Sequence, residues 1–157
     1  MINLKPVTWD NHSQIISMQV HENQKNFVAT NVKSLAQAYA RWIGCGRPPL
    51  TYGIYNGEDL VGFAMVDYET TEETDIGEPC YYLWRYMIDK NHQGKGYGKA
   101  ALMQVLDIVR TKPMGEAAWF YTSVVPESTV AHKLYNDLGF VETGDISEGE
   151  IVLRLTI

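Results

Sequence analysis

The stretch Gln93-Gly94-Lys95-Gly96-Tyr97-Gly98-Lys99 places three alternate glycines and two lysines within seven residues. Glycine lets successive backbone N–H groups approach one anion because no Cβ stands in the way. An amphipathic helical pattern begins at once after the loop, and a helix N-terminus adds partial positive charge. A diphosphate is the ligand such a loop suits, and Lys95 and Lys99 supply full charges. It is not a Walker A loop, because no Gly-Lys-Ser or Gly-Lys-Thr follows, and the spacing from Gly94 to Gly98 fits no dinucleotide G-x-G-x-x-G. A purely structural helix entry would account for two of the three glycines.

A second constellation is Ser128-Thr129-Val130-Ala131-His132-Lys133-Leu134-Tyr135, followed by Leu138-Gly139-Phe140. Ser128, Ala131 and Tyr135 fall at i, i+3 and i+7 and so share one helix face. Val130, Leu134 and Leu138 form another, which is expected to face the core and leave the first face to a ligand.

The elements that must position these groups follow from periodicity and punctuation. Ile2 to Val7 is a short strand, and Asp10 or Asn11 caps a first helix through Ile15, Ile16 and Met18. Ser34 caps a second helix with Leu35, Ala38, Tyr39 and Trp42 at helical spacing, ended by Gly44 and Gly46. Thr51 to Tyr55 and Leu60 to Tyr68 flank Asn56-Gly57, a hairpin signal. Tyr81 to Ile88 is a strand feeding the glycine loop. The helix after the loop buries Leu102, Val105, Leu106 and Val109, turns Gln104, Asp107 and Arg110 to water, and closes at Pro113 and Gly115. Ala117 to Val125 reads as a strand covered on both faces, ended by Pro126. Ser128 caps the next helix, Gly139 ends it, and Phe140 to Thr143 with Glu150 to Leu155 make a last pair of strands around Gly144 and Gly149. The order β, α, α, β, β, β, α, β, α, β, β implies a mixed sheet with helices on both faces.

Composition bounds the function. The 157 residues, 45% of them hydrophobic, suffice for one substantial core. No apolar run reaches the ~20 residues that span a bilayer, and MINLKPVTWDNHSQ lacks signal-peptide character, so the expectation is a cytoplasmic protein without a membrane partner. A net charge of −6 argues against nucleic acid, which needs a basic face. Cys45 and Cys80 lie in no metal or redox spacing, and His12, His21, His92 and His132 show no metal pattern either. Charge is segregated. Asp67, Glu69, Glu72, Glu73, Asp75 and Glu78 form an acidic run without Lys or Arg, whereas Arg85, Lys90, Lys95 and Lys99 follow with Asp89 alone against them. The acidic run is either a solvated loop or a site for cations.

The glycine loop matches the Q/R-x-x-G-x-G/A signature of the GNAT acetyltransferase superfamily, and the 128–140 segment resembles that family's N-x-x-A-x-x-x-Y-x-x-x-G-F segment. The similarity covers essentially the whole chain. It implies one domain, 1–157, with an α/β (α+β) GNAT fold: a mixed, mostly antiparallel sheet of about seven strands with about four helices on both faces. It also implies acetyl-CoA as cosubstrate and no metal. Cofactor contacts would come from Gln93, Gly94, Lys95, Gly96, Tyr97, Gly98, Lys99, Ser128, Ala131 and Tyr135. Backbone groups near Met87 and Ile88 would bind the pantetheine arm and polarise the thioester carbonyl. Within the superfamily, His21-Glu22-Asn23-Gln24, Asn26-Phe27-Val28-Ala29, Asn31 and Ser34-Leu35-Ala36 resemble the bacterial spermine/spermidine acetyltransferases, which implies a polyamine acceptor. A homodimer is implied by the resemblance alone.

Two positions depart from the family pattern. Ser128 stands where Asn is usual, and its hydroxyl donates and accepts with shorter reach. Trp84, followed by Arg85, stands where the eukaryotic polyamine acetyltransferases carry a glutamate. Tyr135 matches the family's general acid, and a phenol with a pKa of about 10 suits a thiolate whose thiol titrates near about 8.5. Glu22 is the first candidate for general base. Acids of the 67–78 run acting through water, or no dedicated base, are the alternatives. Trp84 would line the acceptor channel and meet a cation with its π face. Rival functions are acetylation of another small amine or a protein N-terminus, and a non-catalytic acetyl-CoA sensor.

Overall fold

All eleven expected elements form in the expected order, and the computed structural model, which describes residues 1–157, adds one short 3-10 turn. In chain order they are β1 (Ile2–Pro6), α1 (His12–Ser17), the 3-10 turn (Glu22–Gln24), α2 (Asn31–Cys45), β2 (Leu50–Asn56), β3 (Asp59–Glu69), β4 (Cys80–Ile88), α3 (Tyr97–Arg110), β5 (Trp119–Val124), α4 (Thr129–Asp137), β6 (Val141–Ser147) and β7 (Glu150–Thr156). The strands make one seven-stranded sheet in the order β1-β2-β3-β4-β5-β7-β6. β4 and β5 run parallel, while β1–β2, β2–β3, β5–β7 and β6–β7 are antiparallel, the mixed sheet expected. No helix is long and apolar enough to cross a membrane.

The chain forms two compact units, one of Met1–Asp67 with Trp84–Val105 and one of Tyr68–Leu83 with Leu106–Ile157. In the first, Ile15, Ala38, Phe63, Met65 and Met87 make a buried cluster against which Leu35, Leu60 and Trp84 pack. In the second, Phe140 lies 5.6 Å from both Phe120 and Tyr135, ring centre to ring centre. The expected stripe of α3 is buried, Leu102 and Val105 belonging to the first unit and Leu106 and Val109 to the second.

Four local expectations are corrected. α2 starts earlier than Ser34: Thr30 is its N-cap, accepting from the Lys33 N–H, and Ser34 sits inside the helix with its hydroxyl bonded to the Thr30 carbonyl. The β2–β3 turn is Gly57-Glu58, because Asn56 pairs with Asp59; only Gly57 has positive φ (63°), the signature of a II′ turn. Ser128 precedes α4, but its side chain makes no capping hydrogen bond. Val130 is 77% exposed, whereas Tyr135 is 6% exposed. Five positions apart they lie about 140° round the helix, so one short helix cannot bury both, and the larger ring takes the core.

Candidate functional site

In the first unit, β4 runs out at Ile88 and the chain turns through residues 89–96 into α3. Gly94 (φ 76°) and Gly96 (φ 79°) both adopt the left-handed conformation that L side chains avoid. A Cβ built on either would meet nothing within 4 Å, so the loop opens to free space at both positions. Left-handed glycines with an open face at a helix start form a concavity of N–H groups suited to phosphate oxygens. Lys95 and Lys99 are exposed beside it, Lys95 Nζ donating to the Asn91 carbonyl at 3.3 Å. The Tyr97 hydroxyl accepts from Asn56 Nδ2 (3.1 Å) and the Tyr86 hydroxyl donates to the Gly98 carbonyl (2.5 Å), fixing the first turn of α3.

The Gln93 side chain is occupied within the protein. Its amide exchanges two hydrogen bonds with Gln24 (2.8 and 3.1 Å) and donates to the Ile88 carbonyl at 3.0 Å. It therefore braces the loop against the 3-10 turn.

A residue that motif reading missed supports the loop from below. Asp89 is buried and accepts from the Gln19 N–H and from both the backbone and side-chain nitrogens of Asn91, each at 3.0 Å. Burial pushes its carboxyl up, but those hydrogen bonds and nearby His92 outweigh burial and hold it below the ordinary carboxylate value. The local signal was present in the sequence, since Asp-x-Asn after a strand is an Asx-turn in which the aspartate bonds two residues on. The lowered value means that Asp89 stabilises the fold fully above the usual carboxylate range and loses that contribution as pH falls through its own, lower value. Asp89→Asn should therefore lower the melting temperature at pH 7 by about 5 °C, since hydrogen bonds to a charged group are worth about 2 kcal/mol. The gap to wild type should narrow in scans below pH ~4. A constant gap from pH 3 to 7 would remove the ionised carboxylate from the loop's support.

Gly62 on β3 was also unread. A Cβ there would come within 2.5 Å of the Met87 carbonyl and 2.9 Å of Ile88 Cδ1, so only glycine lets β3 approach β4 so closely where Met87 and Ile88 lie.

The remaining sequence candidates of this unit are scattered in role. Trp84 packs against the apolar cluster, and the Arg85 guanidinium lies 5.5 Å from its ring centre, so a cation of the protein already stands at the indole. Arg85 donates to the Trp84 carbonyl and to Gln37. Glu22 lies in the 3-10 turn with its side chain 86% exposed and ion-paired to Lys25 at 2.6 Å. Asp67, counted in the acidic run, is a buried partner of Arg41 at 2.7 Å and faces no solvent ligand. The other acids of the run belong to the second unit. Glu72, Glu73, Asp75 and Glu78 are exposed, with Glu73 accepting from the Thr70 N–H and Glu78 from the Trp119 indole N–H.

In the second unit Tyr135 is the only buried residue of α4. Burial pushes its phenol up to about 12; a hydrogen bond with Thr122 opposes this, and Tyr82 and Glu150 reinforce it. At any physiological pH the hydroxyl keeps its proton and is available as a donor. Ser128 and Ala131 lie on the same side of α4, half-buried. The same unit holds a chain that the sequence does not announce: the Tyr82 hydroxyl is 3.1 Å from Ser123 Oγ, which donates to Glu150 Oε2 at 2.5 Å. Its members come from β4, β5 and β7, and no local spacing connects them. No group of His, Cys, Asp or Glu is arranged to hold a metal ion.

An open glycine loop at a helix start and a buried, protonated phenol are features that acyl transfer from a coenzyme thioester can use. Comparison with known proteins agrees. The family model described as "Acetyltransferase (GNAT) family" matches residues 17–140. The chain is 31% identical over 153 residues to a probable spermine N(1)-acetyltransferase of Bacillus subtilis subsp. natto, covering 97% of this chain and 96% of that protein. It is 30% identical, with the same coverage, to a spermine/spermidine N(1)-acetyltransferase of Bacillus subtilis strain 168. Among solved structures, spermidine N-acetyltransferase from Vibrio cholerae in complex with CoA and spermine superposes with a TM-score of 0.72 at 20% identity, over 99% of this chain and 94% of that one, a likeness of fold.

Proposed function

The chain belongs to the GNAT acetyltransferase family and is an acetyl-CoA-dependent N-acetyltransferase, and from that premise we propose that its acceptor is a polyamine of the spermine/spermidine class. The observation that carries the substrate reading is the full-length 30–31% identity to two enzymes named for spermine. The exposed acids of the 69–78 run support it, since a polyamine holds several ammonium groups beyond the one that reacts.

In this reading the open loop at Gly94 and Gly96 takes the diphosphate of CoA, with Lys95 and Lys99 at its rim. Backbone groups of Met87 and Ile88 take the pantetheine arm, and Gly62 sets their position. Tyr135 gives its proton to the departing thiolate. Burial that raises the phenol raises the thiol as well, so the difference between them, not either value alone, governs the transfer. Ser128 and Ala131 face the cofactor. Trp84 forms an apolar wall for the methylene chain, its π face being shared with Arg85. Glu22, exposed and paired with Lys25, is assigned to a distal ammonium and not to the proton transfer itself.

The test is release of CoA against spermine, spermidine and a monoamine of similar length. Polyamines are expected to be preferred, with the preference shrinking as salt screens the acids. Neutralising Glu72, Glu73 and Asp75 together to Gln, Gln and Asn should raise KM for spermine roughly 10-fold through several small exposed contacts, and KM for the monoamine little. Glu22→Gln should raise the spermine KM with kcat unchanged. Preference for the monoamine, or equal effects on both substrates, would discard the polyamine reading and favour another small amine.

A further inference from the structure

Asn31 is the first residue of α2 and is only 3% exposed. Elementary chemistry fixes which way its amide points. The atom 2.8 Å from the Ile15 carbonyl must be the donor, because a carbonyl only accepts, so Nδ2 faces the last turn of α1. The same nitrogen lies 3.8 Å from Met87 Sδ on β4. The other end of the amide is different: Oδ1 receives no N–H or O–H from the protein and is not sealed from the outside. An amide oxygen left without a donor in a residue set this deeply calls for a donor that comes from a ligand. The surroundings restrict which donor suits it. Ile15 and Met87 belong to the apolar cluster of this unit, and Trp84 packs against it. Asn31 also opens a helix of 15 residues, whose N-terminal partial positive charge disfavours an ammonium and tolerates a neutral N–H. A neutral amine is the form that attacks a thioester.

We propose that Asn31 Oδ1 accepts one N–H of the acceptor amine and turns its lone pair toward the thioester carbonyl, so that Asn31 orients the nucleophile. This rests on the reading above, in which Met87 and Ile88 hold the pantetheine arm and so bring the acyl carbonyl to this end of β4. A neutral primary amine carries two N–H groups and one lone pair. With one N–H held on Oδ1, the nitrogen loses rotational freedom while its lone pair stays free for the carbonyl carbon. An amide oxygen is too weak a base to take a proton from the nitrogen, so Asn31 orients the amine and does not deprotonate it. Nδ2, fixed on the Ile15 carbonyl, keeps the oxygen from swinging away.

The experiment measures kcat, KM, CoA affinity and melting temperature for wild type, Asn31→Leu and Asn31→Asp. It uses whichever amine of the panel is turned over best, so a wrong polyamine assignment shows in the panel and leaves this test standing. Both variants lose the Nδ2 donor, and in both the Ile15 carbonyl keeps the Met18 N–H at 3.3 Å, so the fold should persist. Only aspartate keeps an oxygen acceptor. Asn31→Leu should lose about 10-fold in kcat, the worth of one hydrogen bond, with CoA affinity unchanged. Asn31→Asp should stay within about 3-fold of wild type. A second measurement needs no variant. In wild type holding CoA, which has no acetyl group to transfer, adding the amine should shift the Asn31 side-chain amide signals in heteronuclear NMR. The same amine with its terminal nitrogens trimethylated has no N–H to give there and should leave them in place. Wild-type kcat in Asn31→Leu would overturn the proposal, as would equal losses in the leucine and aspartate variants, the mark of a structural role for Nδ2. So would amide signals that stay unmoved when the amine binds, or that move as far with the trimethylated one.

Discussion

Gly96→Asp is expected to give a folded protein with no CoA binding detectable by calorimetry. Two costs add at this position. The φ of 79° is one that only glycine adopts freely, a penalty of about 1–2 kcal/mol for any L side chain. A Cβ at Gly96 would meet nothing within 4 Å, so the new carboxylate starts into the open space in front of the loop. There it repels a diphosphate at close range, where like charges are least screened. Gly96→Ala separates the two costs. It carries the backbone strain without the charge and should weaken CoA by about 10-fold, while the aspartate should weaken it by more than 10³-fold through the added repulsion. Equal CoA affinity in wild type and Gly96→Asp would show that the diphosphate lies elsewhere.

Tyr135→Phe is expected to retain CoA affinity and lose about 10²- to 10⁴-fold in kcat, the range of general-acid help. It deletes one oxygen and leaves the ring against Phe140. Stability gives an independent check. The phenol is raised from 10 to about 12 in the folded protein. The stability that follows from that difference is fully present below pH ~10 and lost as pH rises toward ~12, where the ionised phenolate would have to be buried, a loss of about 3 kcal/mol. Tyr135→Phe abolishes this alkaline loss. Its melting temperature should fall less than that of wild type between pH 9 and 11.5, and parallel curves would mean that the phenol is not buried in solution. A variant with kcat within twofold of wild type would leave Tyr135 a packing residue.

Much of the scaffold was legible because its signals are local. The periodic stripe Leu102, Val105, Leu106 and Val109 specified α3, and the glycines before it specified the loop. The failures were competitions that local patterns do not record. Ser34 and Thr30 are both good caps, and the choice between them fell to Thr30, four residues nearer the chain start. Val130 and Tyr135 are both suited to burial, and one narrow helix face took the ring. In the candidate site, the open glycine loop and the helix carrying Tyr135 could be read from motifs, and Asp89 could have been read from its Asx-turn. Ser123 and Glu150 could not, being 27 residues apart and brought together only by the β5–β7 register that pairs Ser123 with Val152. Glu22, the first candidate for general base, lies exposed beside Lys25.

The two ties across the first unit, Asp89 to the Gln19 N–H and Gln93 to Gln24, couple two segments that are distant in sequence. They make residues 19–24, which carry Glu22, and the glycine loop into one mechanical body. In the reading proposed above, a nucleotide on the loop orders that segment as well, so less entropy is left to lose when the amine arrives. Linkage makes the help reciprocal, so the amine tightens the nucleotide by the same factor. Cutting either tie should therefore reduce the synergy between the two substrates, measured as the ratio of nucleotide affinities with and without amine.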